Sequence, residues 1–351
     1  MTAPAILSPY PIPETLRTRK TPNIGDGFIL RAIERLLRIR FGDRVLSPRV
    51  APTPAGLQGL LDARCVILGG ANQLNDRYTV WPGLDADRLR ELDLVLIPMG
   101  IGLHGEPGHN DAMSEATREI LRTLHARIEF SSWRCPDTVA YLRRELPELA
   151  DKTLMTGCPV MYDKPILDGK PFGDQERSIA VTATERGDFM ARELATLETV
   201  AGRFPRARRL FVVHQNFSPP SRFERLRHAL GRRRPDDRVA ELRACARRLG
   251  YRIVLPRDAD EALAIYRDVD MHCGSRLHAH LLFLSQAKRS ALVPVDGRAT
   301  GIATHFDFPL CTPERLPAAL ELNFEPVRER IIRTFETMRR FLQSVENRCS
   351  P

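Results

Sequence analysis

The sequence predicts an α/β fold made of two doubly wound domains that face each other across a cleft. Strand-like apolar runs alternate with helix-like stretches along both halves of the 351-residue chain, and this alternation is typical of parallel sheets covered by helices. A polar segment with prolines and glycines, residues 162–176, separates the two halves, as expected of a domain boundary. We therefore expect an N-terminal domain at 1–160 and a C-terminal domain at 177–322.

The first half begins with a helix and continues with strands and helices in alternation. Residues 27–40 carry apolar side chains at helical spacing. Continuous apolar runs at 65–70 and 93–100 predict strands buried on both faces of a sheet. The remaining predicted elements, in chain order, are a helix at 114–124, a strand at 127–131, a helix at 136–146 and a strand at 153–156.

The second half repeats the alternation after the linker. Its predicted strands are residues 178–183, 209–214, 251–255, 269–273 and 290–295. Its predicted helices are residues 237–249, 261–266 and a final one from 326 to about 345. This series indicates a second parallel sheet with ligands at the carboxyl ends of its strands.

Composition excludes several classes of protein. No apolar run approaches the roughly 18–20 residues of a membrane span, and the N-terminus lacks the basic start and apolar core of a secretory signal. We expect a cytoplasmic protein, with peripheral association at the inner membrane face left open. The seven cysteines are scattered and never form a C-x-x-C pair, so we expect buried thiols and no disulfide framework.

The net charge of +9 is concentrated in arginines at residues 203–209 and 222–238. One interpretation is a solvated helical face, and the other is contact with an acidic polymer or an anionic membrane. Neither interleaved aromatic residues nor a nucleic-acid motif accompanies these arginines, so no nucleic-acid partner is expected. The histidines and carboxylates lack metal-ligand spacing, and no metal site is predicted.

An anion site is predicted where the strand at 269–273 ends in Gly274-Ser275-Arg276-Leu277-His278. A helix that starts directly after a strand presents backbone N–H donors and a partial positive charge at the sheet edge. Arg276 adds a fork-shaped cation and His278 a titratable imidazole. A phosphate-bearing ligand fits this pattern.

A second candidate loop is Asn23-Ile24-Gly25-Asp26, which precedes the first long helix. Asp26 occupies the position expected of an N-cap, and a helix cap is one interpretation. In the other, Gly25 lets the backbone approach a ligand that Asn23 and Asp26 touch. A carboxylate at a cleft mouth also serves as a proton donor when desolvation raises its pKa.

Four further residues are candidates for the same cleft. Gly70 and Gly102 belong to glycine-containing loops after successive strands, where tight turns are the alternative explanation. Their spacing fits neither a dinucleotide-binding loop nor a phosphate-binding P-loop. His214 ends a second-half strand and Arg186 follows the first one; a structural histidine and a surface arginine are the alternatives.

In their order and spacing these loops resemble the polysaccharide pyruvyl transferase family. The resemblance spans residues 23–309 and includes Thr156-Gly157-Cys158-Pro159 and the segment from Pro294 to Gly301. It implies two Rossmann-like halves arranged as in GT-B glycosyltransferases, with the C-terminal helix (323–351) returning to the first domain. The strongest single motif is Arg276-Leu277-His278 after a strand that ends in glycine.

The resemblance also implies an activity. The family transfers pyruvate from phosphoenolpyruvate to two hydroxyls of a sugar, forms a cyclic ketal and releases phosphate, with no further cofactor. Arg276 and His278 would hold the donor with the help of Ser275 and Leu277, and His278 or Asp26 would supply the proton. Arg186 lies two residues later than the arginine usual in the family, and Arg298 replaces a lysine.

The implied partners are the donor and a saccharide acceptor, free or lipid-linked, and the sequence predicts no oligomeric state. Two alternatives stay open at this point. One is a GT-B-like glycosyltransferase that uses a nucleotide sugar. The other is a non-catalytic protein that binds a polyanion through residues 203–238.

Overall fold

Two parallel β-sheets organise the computed structural model, which describes residues 3–10, 23–105, 111–184, 186–214 and 238–349. The first sheet has the order β2-β1-β3-β5-β6-β7, and β4 pairs with β5 near its end. Its strands are β1 (Ala5–Leu7), β2 (Val45–Leu46), β3 (Val66–Gly69), β4 (Asn72–Leu74), β5 (Leu96–Leu103), β6 (Ser131–Trp133) and β7 (Thr153–Met155). All the pairings are parallel.

The second sheet has the order β10-β9-β8-β11-β12 and is also parallel throughout. Its strands are β8 (Ser178–Thr182), β9 (Arg208–Val212), β10 (Arg252–Val254), β11 (Met271–Gly274) and β12 (Ser290–Leu292). The predicted fold class is therefore confirmed: the chain is α/β, with a doubly wound parallel sheet in each half.

Helices connect the strands in both halves, as crossovers between parallel strands require. In the first half they are α1 (Ile24–Leu37), α2 (Pro54–Leu61), α3 (Ala86–Leu92), α4 (Glu115–His125), α5 (Pro136–Glu145) and α6 (Lys164–Leu167). In the second half they are α7 (Met190–Arg203), α8 (Arg238–Arg248), α9 (Ala259–Arg267), α10 (Leu277–Ser285), α11 (Gly297–Phe306), α12 (Leu316–Leu320) and α13 (Glu325–Cys349).

Three predicted boundaries in the first half are wrong. Helix α1 starts at Ile24 because the Asn23 side chain caps it. Strand β5 starts three residues later than predicted, because Asp93 ends α3 in a left-handed conformation. Strand β6 starts at Ser131, and the Ile128 carbonyl before it accepts from the Lys152 ammonium over 3.2 Å.

One hydrophobic core joins the two halves. Helix α1 packs on α9 and α10 of the second half, and Ile24 and Phe28 share a buried cluster with Tyr266, Ala279 and Leu282. The Arg31 guanidinium closes the edge of this contact through two hydrogen bonds to Asp260, of 2.7 and 2.5 Å. The first turn of α1 is therefore fixed relative to the start of α10.

The C-terminal helix α13 lies against β6, β7 and α1 of the first half and also contacts α11. Its last residue, Cys349, forms a disulfide with Cys65 at the start of β3. The sequence predicts buried thiols and does not predict this pair, whose separation of 284 residues gives no local sequence signal. The other cysteines are free thiols: Cys135, Cys158, Cys245 and Cys273 are buried and Cys311 is half-buried.

None of the helices in the described part of the chain combines the length and the apolar character needed to cross a membrane.

We expect the Cys65–Cys349 disulfide to stabilise the oxidised protein, because a cross-link that closes a loop of 284 residues restricts the unfolded chain. Cys349→Ser should lower the free energy of unfolding by about 2–5 kcal/mol, measured by denaturant titration without reductant. Cys311→Ser, which removes a free half-buried thiol, is the control and should lower the free energy of unfolding by a smaller amount. Equal unfolding midpoints for Cys349→Ser and the wild type would contradict the disulfide.

Candidate anion-binding cleft

The candidate site lies where the strand order of the second sheet reverses. From β8 the chain moves to β9 and β10 on one side and returns to β11 on the other. At such a switch point the loops after the two central strands diverge and leave a crevice at their carboxyl ends. Here those loops begin at Ala183 after β8 and at Ser275 after β11.

A backbone contact fixes the turn after β11. Gly274 has φ +130°, and a Cβ at this position would lie 1.9 Å from the carbonyl oxygen of Thr182. Only glycine fits this approach, because any side chain would overlap the neighbouring strand. The Ser275 N–H then donates to the Thr182 carbonyl over 3.0 Å, which continues the ladder into the turn.

Arg276 and His278 follow from this turn in the positions that the sequence predicts. The Arg276 Nε donates to the Ala183 carbonyl over 2.9 Å, so the guanidinium bridges the two loops of the switch point. Helix α10 starts at Leu277, with Arg276 as its N-cap residue. His278 lies in its first turn, where helix N–H groups lack intrahelical acceptors. Both side chains line the cleft.

The opposite wall is the start of α1. The Asn23 side chain accepts from the Gly25 N–H over 3.2 Å, and the Ile24 N–H donates to the His214 carbonyl over 3.1 Å. Gly25 faces His278 so closely that a Cβ at this position would lie 2.9 Å from the imidazole Nδ1. The two loops that the sequence singles out therefore meet in one place.

The cleft between these walls has a volume of about 180 Å³. The residues predicted from the sequence that line it are Asn23, Gly25, Arg186, His214, Ser275, Arg276, Leu277 and His278. Four more lining residues were not predicted: Thr184, Val295, Asp296 and Ala299. Asp296 could have been found, since it belongs to the Pro294–Gly301 segment that carries the family resemblance.

Arg186 reaches the cleft although it comes late in its loop. Its guanidinium lies 4.9 Å from the centre of the Phe189 ring, and its Nη1 is 3.7 Å from Asp296 Oδ2. These contacts orient a side chain that is 49% exposed. Arg186 and Arg276 are thus two guanidinium groups at one small cleft, with one carboxylate beside them.

His214 forms a neutral part of the wall. It is buried, its Nε2 lies 2.5 Å from the Tyr266 hydroxyl, and the edge of the Phe28 ring packs against it. Burial, reinforced by Arg276 and by neighbouring histidines, holds the pKa of His214 well below its usual range. Its imidazole is therefore uncharged near neutral pH.

A buried hydrogen-bond network supports the turn from below. His272 in β11 contacts the hydroxyls of Thr182 and Ser290, each over 2.8 Å, and His280 in α10 contacts Ser290 over 2.8 Å. Burial lowers the pKa of His272 to about 3 and holds that of His280 well below its usual value. Both histidines belong to the folded structure as neutral groups.

Asp26 is placed differently from the prediction. Asn23, not Asp26, caps α1, and Asp26 lies in the first helical turn with its side chain largely buried. One carboxylate oxygen lies 3.7 Å from Arg49 Nη2. The structure does not bring Asp26 to the cleft lining, so His278 is the predicted proton donor that is positioned there.

Gly70 and Gly102 also lie outside the cleft lining. A Cβ on Gly70 would come within 2.1 Å of the Gly100 carbonyl, and one on Gly102 within 2.3 Å of Arg134 Nη2. Gly102 is part of β5 and not of a turn. Packing of the first sheet therefore explains both glycines.

Some predicted residues fall outside the described residues. Arg298 is in α11, but the structure does not describe its side chain. The arginines at 222–234, which belong to the segment 203–238 of the polyanion-binding hypothesis, lie entirely outside the described residues. Within the described ranges, no group of three or more histidine, cysteine or acidic side chains is arranged to hold a metal ion.

Sequence reasoning missed one titratable group near the site, Glu193 in α7. Its side chain is fully buried, and burial raises the pKa of Glu193 to about 7. Helix α7 was not predicted, so its residues were not considered. The available signal was the helical spacing of Leu194, Leu197 and Ala201.

Fold and cleft together define a two-sheet α/β protein with a crevice at a sheet switch point that Arg186 and Arg276 line. The family comparison gives its place among known proteins: the model of the polysaccharide pyruvyl transferase family matches residues 23–297. The chain belongs to this family. No curated protein matches it.

Several solved structures are similar to the chain over most of its length. One is accessory secretory protein 1,2 and 3 in Streptococcus pneumoniae, at 12% identity and TM-score 0.42, covering 93% of this chain and 57% of that one. Another is Alr3699/HepE of Anabaena in complex with UDP and glucose, at 9% identity and TM-score 0.46, covering 99% of this chain and 100% of that one. A third is UDP-GlcNAc 2-epimerase from Neisseria meningitidis bound to UDP-GlcNAc, at 13% identity and TM-score 0.43, covering 92% of this chain and 83% of that one. The chain thus spans just over half the length of the first of these, and its family assignment rests on the family model.

Gly25→Ala should impair anion binding without unfolding the protein. The added Cβ would lie 2.9 Å from His278 Nδ1, so the imidazole must move. We expect a loss of about ten- to hundredfold in affinity for phosphoenolpyruvate, measured by calorimetry. Gly59→Ala is the matched control, because a helical Cβ there meets nothing within 4 Å. Unchanged affinity in Gly25→Ala would show that the loop and His278 do not form one site.

Stability should fall as pH decreases below about 6.5, the usual histidine pKa. The folded protein keeps His125 and His272 neutral, with pKa values of about 4 and about 3, whereas the unfolded chain takes up protons below 6.5. Each such histidine therefore costs about 1.4 kcal/mol per pH unit until its folded pKa is reached. Urea titrations between pH 7 and 4.5 should show a shallower loss in His272→Gln and an unchanged one in His104→Gln, which alters an exposed residue. If stability falls equally with pH in the wild type, His272→Gln and His104→Gln, the lowered pKa of His272 would be refuted.

Proposed function

We propose that the protein is a transferase that moves the pyruvyl group of phosphoenolpyruvate to a saccharide in glycan biosynthesis. The observation that carries the proposal is the meeting of Arg276 and His278 with the Asn23–Gly25 loop in one cleft. Phosphoenolpyruvate carries a phosphate and a carboxylate, and guanidinium groups with a helix N-terminus bind such oxyanions. Membership of the family supports the same reaction class.

The proposed chemistry uses the residues of the cleft in order. His278 donates a proton to the methylene carbon of phosphoenolpyruvate, and C2 becomes cationic. A saccharide hydroxyl forms a bond to C2 and gives its proton to the His278 imidazole, which restores the acid. The second hydroxyl then bonds to C2 as the C2–O bond to phosphate breaks, and its proton leaves with the phosphate, which gives the cyclic ketal and inorganic phosphate. Arg276 and the N-terminus of α10 stabilise the negative charge on the departing phosphate.

The size of the cleft favours this donor over a nucleotide sugar. Pockets for drug-sized ligands span about 300–1,000 Å³, whereas the described lining encloses about 180 Å³. A three-carbon phosphate suits the smaller space. The saccharide acceptor, free or lipid-linked, would approach from the Asn23–Gly25 wall, and the reaction would need no cofactor besides the donor.

Arg276→Ala and His278→Ala should each weaken phosphoenolpyruvate binding about ten- to hundredfold, because each removes a charge-assisted contact worth about 1.5–3 kcal/mol. Calorimetry measures the affinity, and transfer of labelled pyruvate to a saccharide pool measures the activity. Arg252→Ala, on the exposed edge strand β10, is the control and should retain both.

Two results would contradict the proposed function. The first is normal donor affinity in both cleft variants, which would remove the anion site from this position. The second is thermal stabilisation of the wild type by uridine or guanosine diphosphate but not by phosphoenolpyruvate, which would favour a nucleotide-sugar glycosyltransferase.

A further inference from the structure

One nitrogen of His214, a residue that lines the cleft, has no partner within the fold. His214 is 1% exposed. Its Nε2 lies 2.5 Å from the Tyr266 hydroxyl, whereas its Nδ1 forms no hydrogen bond with any of the described residues. A buried polar atom without a hydrogen bond is costly and rare in a folded protein. At the edge of a cleft, such an atom marks a place where a ligand can supply the missing partner.

The Tyr266 hydroxyl determines which ring nitrogen of His214 carries the hydrogen. Tyr266 is 0% exposed, and within the described ranges its hydroxyl has a single hydrogen-bond partner, His214 Nε2. A tyrosine hydroxyl keeps its proton near neutral pH, so the hydroxyl is satisfied when it donates to Nε2. A neutral imidazole has only one N–H, and this hydrogen is then on Nδ1. The nitrogen without a partner is therefore a donor.

Packing holds the imidazole in this position. The edge of the Phe28 ring lies against it, with the ring centroids 5.5 Å apart, and Tyr266 is itself in edge contact with Phe283 at 5.1 Å. The His214 carbonyl accepts from the Ile24 N–H at the start of α1. The residue that carries the donor is thus fixed next to the Asn23–Gly25 wall of the cleft.

We propose that His214 is a ligand-binding residue whose Nδ1–H donates to an anionic oxygen of the donor substrate. The other lining groups favour such an oxygen, because Arg186 and Arg276 are cations and the first turn of α10 has N–H groups without intrahelical acceptors. Phosphoenolpyruvate has two anionic groups, and a neutral N–H adds a charge-assisted hydrogen bond to one of them. The inference rests on the proposed function only for the identity of the ligand.

Nitrogen-15 NMR of the histidine rings tests the tautomer, because protonated and unprotonated ring nitrogens resonate far apart. In the free protein we expect His214 to carry its hydrogen on Nδ1, with the signals assigned by their loss in His214→Gln. Phosphoenolpyruvate and inorganic phosphate, added as separate probes, should shift the Nδ1–H proton downfield as it acquires an acceptor. A hydrogen on Nε2 of the free wild type would overturn the inference.

Two substitutions separate the unpartnered donor from the contact with Tyr266. A glutamine amide reaches the place of Nε2 and an asparagine amide that of Nδ1. His214→Gln therefore keeps a partner for the Tyr266 hydroxyl but removes the donor, and it should weaken phosphoenolpyruvate binding about ten- to hundredfold in calorimetry. His214→Asn keeps an N–H donor and should bind more tightly than His214→Gln. The matched control is His125→Gln, which alters a buried histidine of the first half with partners for both ring nitrogens, and it should bind as the wild type does.

The two probes also show which anionic group His214 binds. A loss of affinity in His214→Gln for phosphoenolpyruvate alone would assign the N–H to the carboxylate, and a loss for both probes would assign it to the phosphate. Equal phosphoenolpyruvate affinity in the wild type and His214→Gln would overturn the inference and leave the proposed donor in place. Equal losses in His214→Gln and His214→Asn would also overturn it, because packing and not the N–H would then explain them. His214-dependent binding of inorganic phosphate without binding of phosphoenolpyruvate would support the inference and refute the proposed donor, whereas failure of both probes to bind would overturn both.

Discussion

The site depends on one backbone contact, the approach of Gly274 to Thr182 at the carboxyl ends of β11 and β8. A Cβ at Gly274 would lie 1.9 Å from the Thr182 carbonyl oxygen, so the two central strands of the second sheet can come together here only through glycine. Because Ser275 continues the ladder to Thr182, the following residues leave the sheet in a fixed direction. Arg276 and the first turn of α10 are therefore aimed at the crevice by the backbone itself.

The second constraint is that the first domain completes this crevice. Helix α1 begins with its N–H groups beside the end of β9, where Ile24 donates to the His214 carbonyl, and its buried face shares a core with α9 and α10. Gly25 is accommodated only because it has no side chain facing His278. The same helix thus packs the two halves together and supplies one wall of the cleft, so the separation of the walls is set by core packing and not by a surface loop.

The sequence was sufficient for the parts of this arrangement that depend on local pattern. Continuous apolar runs identified β3 and β5 because strands buried on both faces need them, and the glycine-ended strand before Arg276 pointed to the turn that lines the cleft. Long-range packing was not visible. Gly70 and Gly102 resembled parts of binding loops, but only glycine fits there because the Gly100 backbone and Arg134 approach these positions closely. Cys65 and Cys349 form a disulfide although 284 residues separate them. Glu193 was missed since α7 was not predicted and no local pattern marks one of its carboxylates as fully buried.

The electrostatic potential of the cleft depends on which of its side chains are ionised. Burial keeps His214 neutral and does the same for His272 beneath the turn, so Arg186 and Arg276 carry the permanent positive charges among the described lining residues. Arg186 already lies 3.7 Å from the Asp296 carboxylate, and the Nε of Arg276 donates to the Ala183 carbonyl. The charge of Arg186 is therefore already partly balanced by a neighbouring carboxylate before any ligand is present.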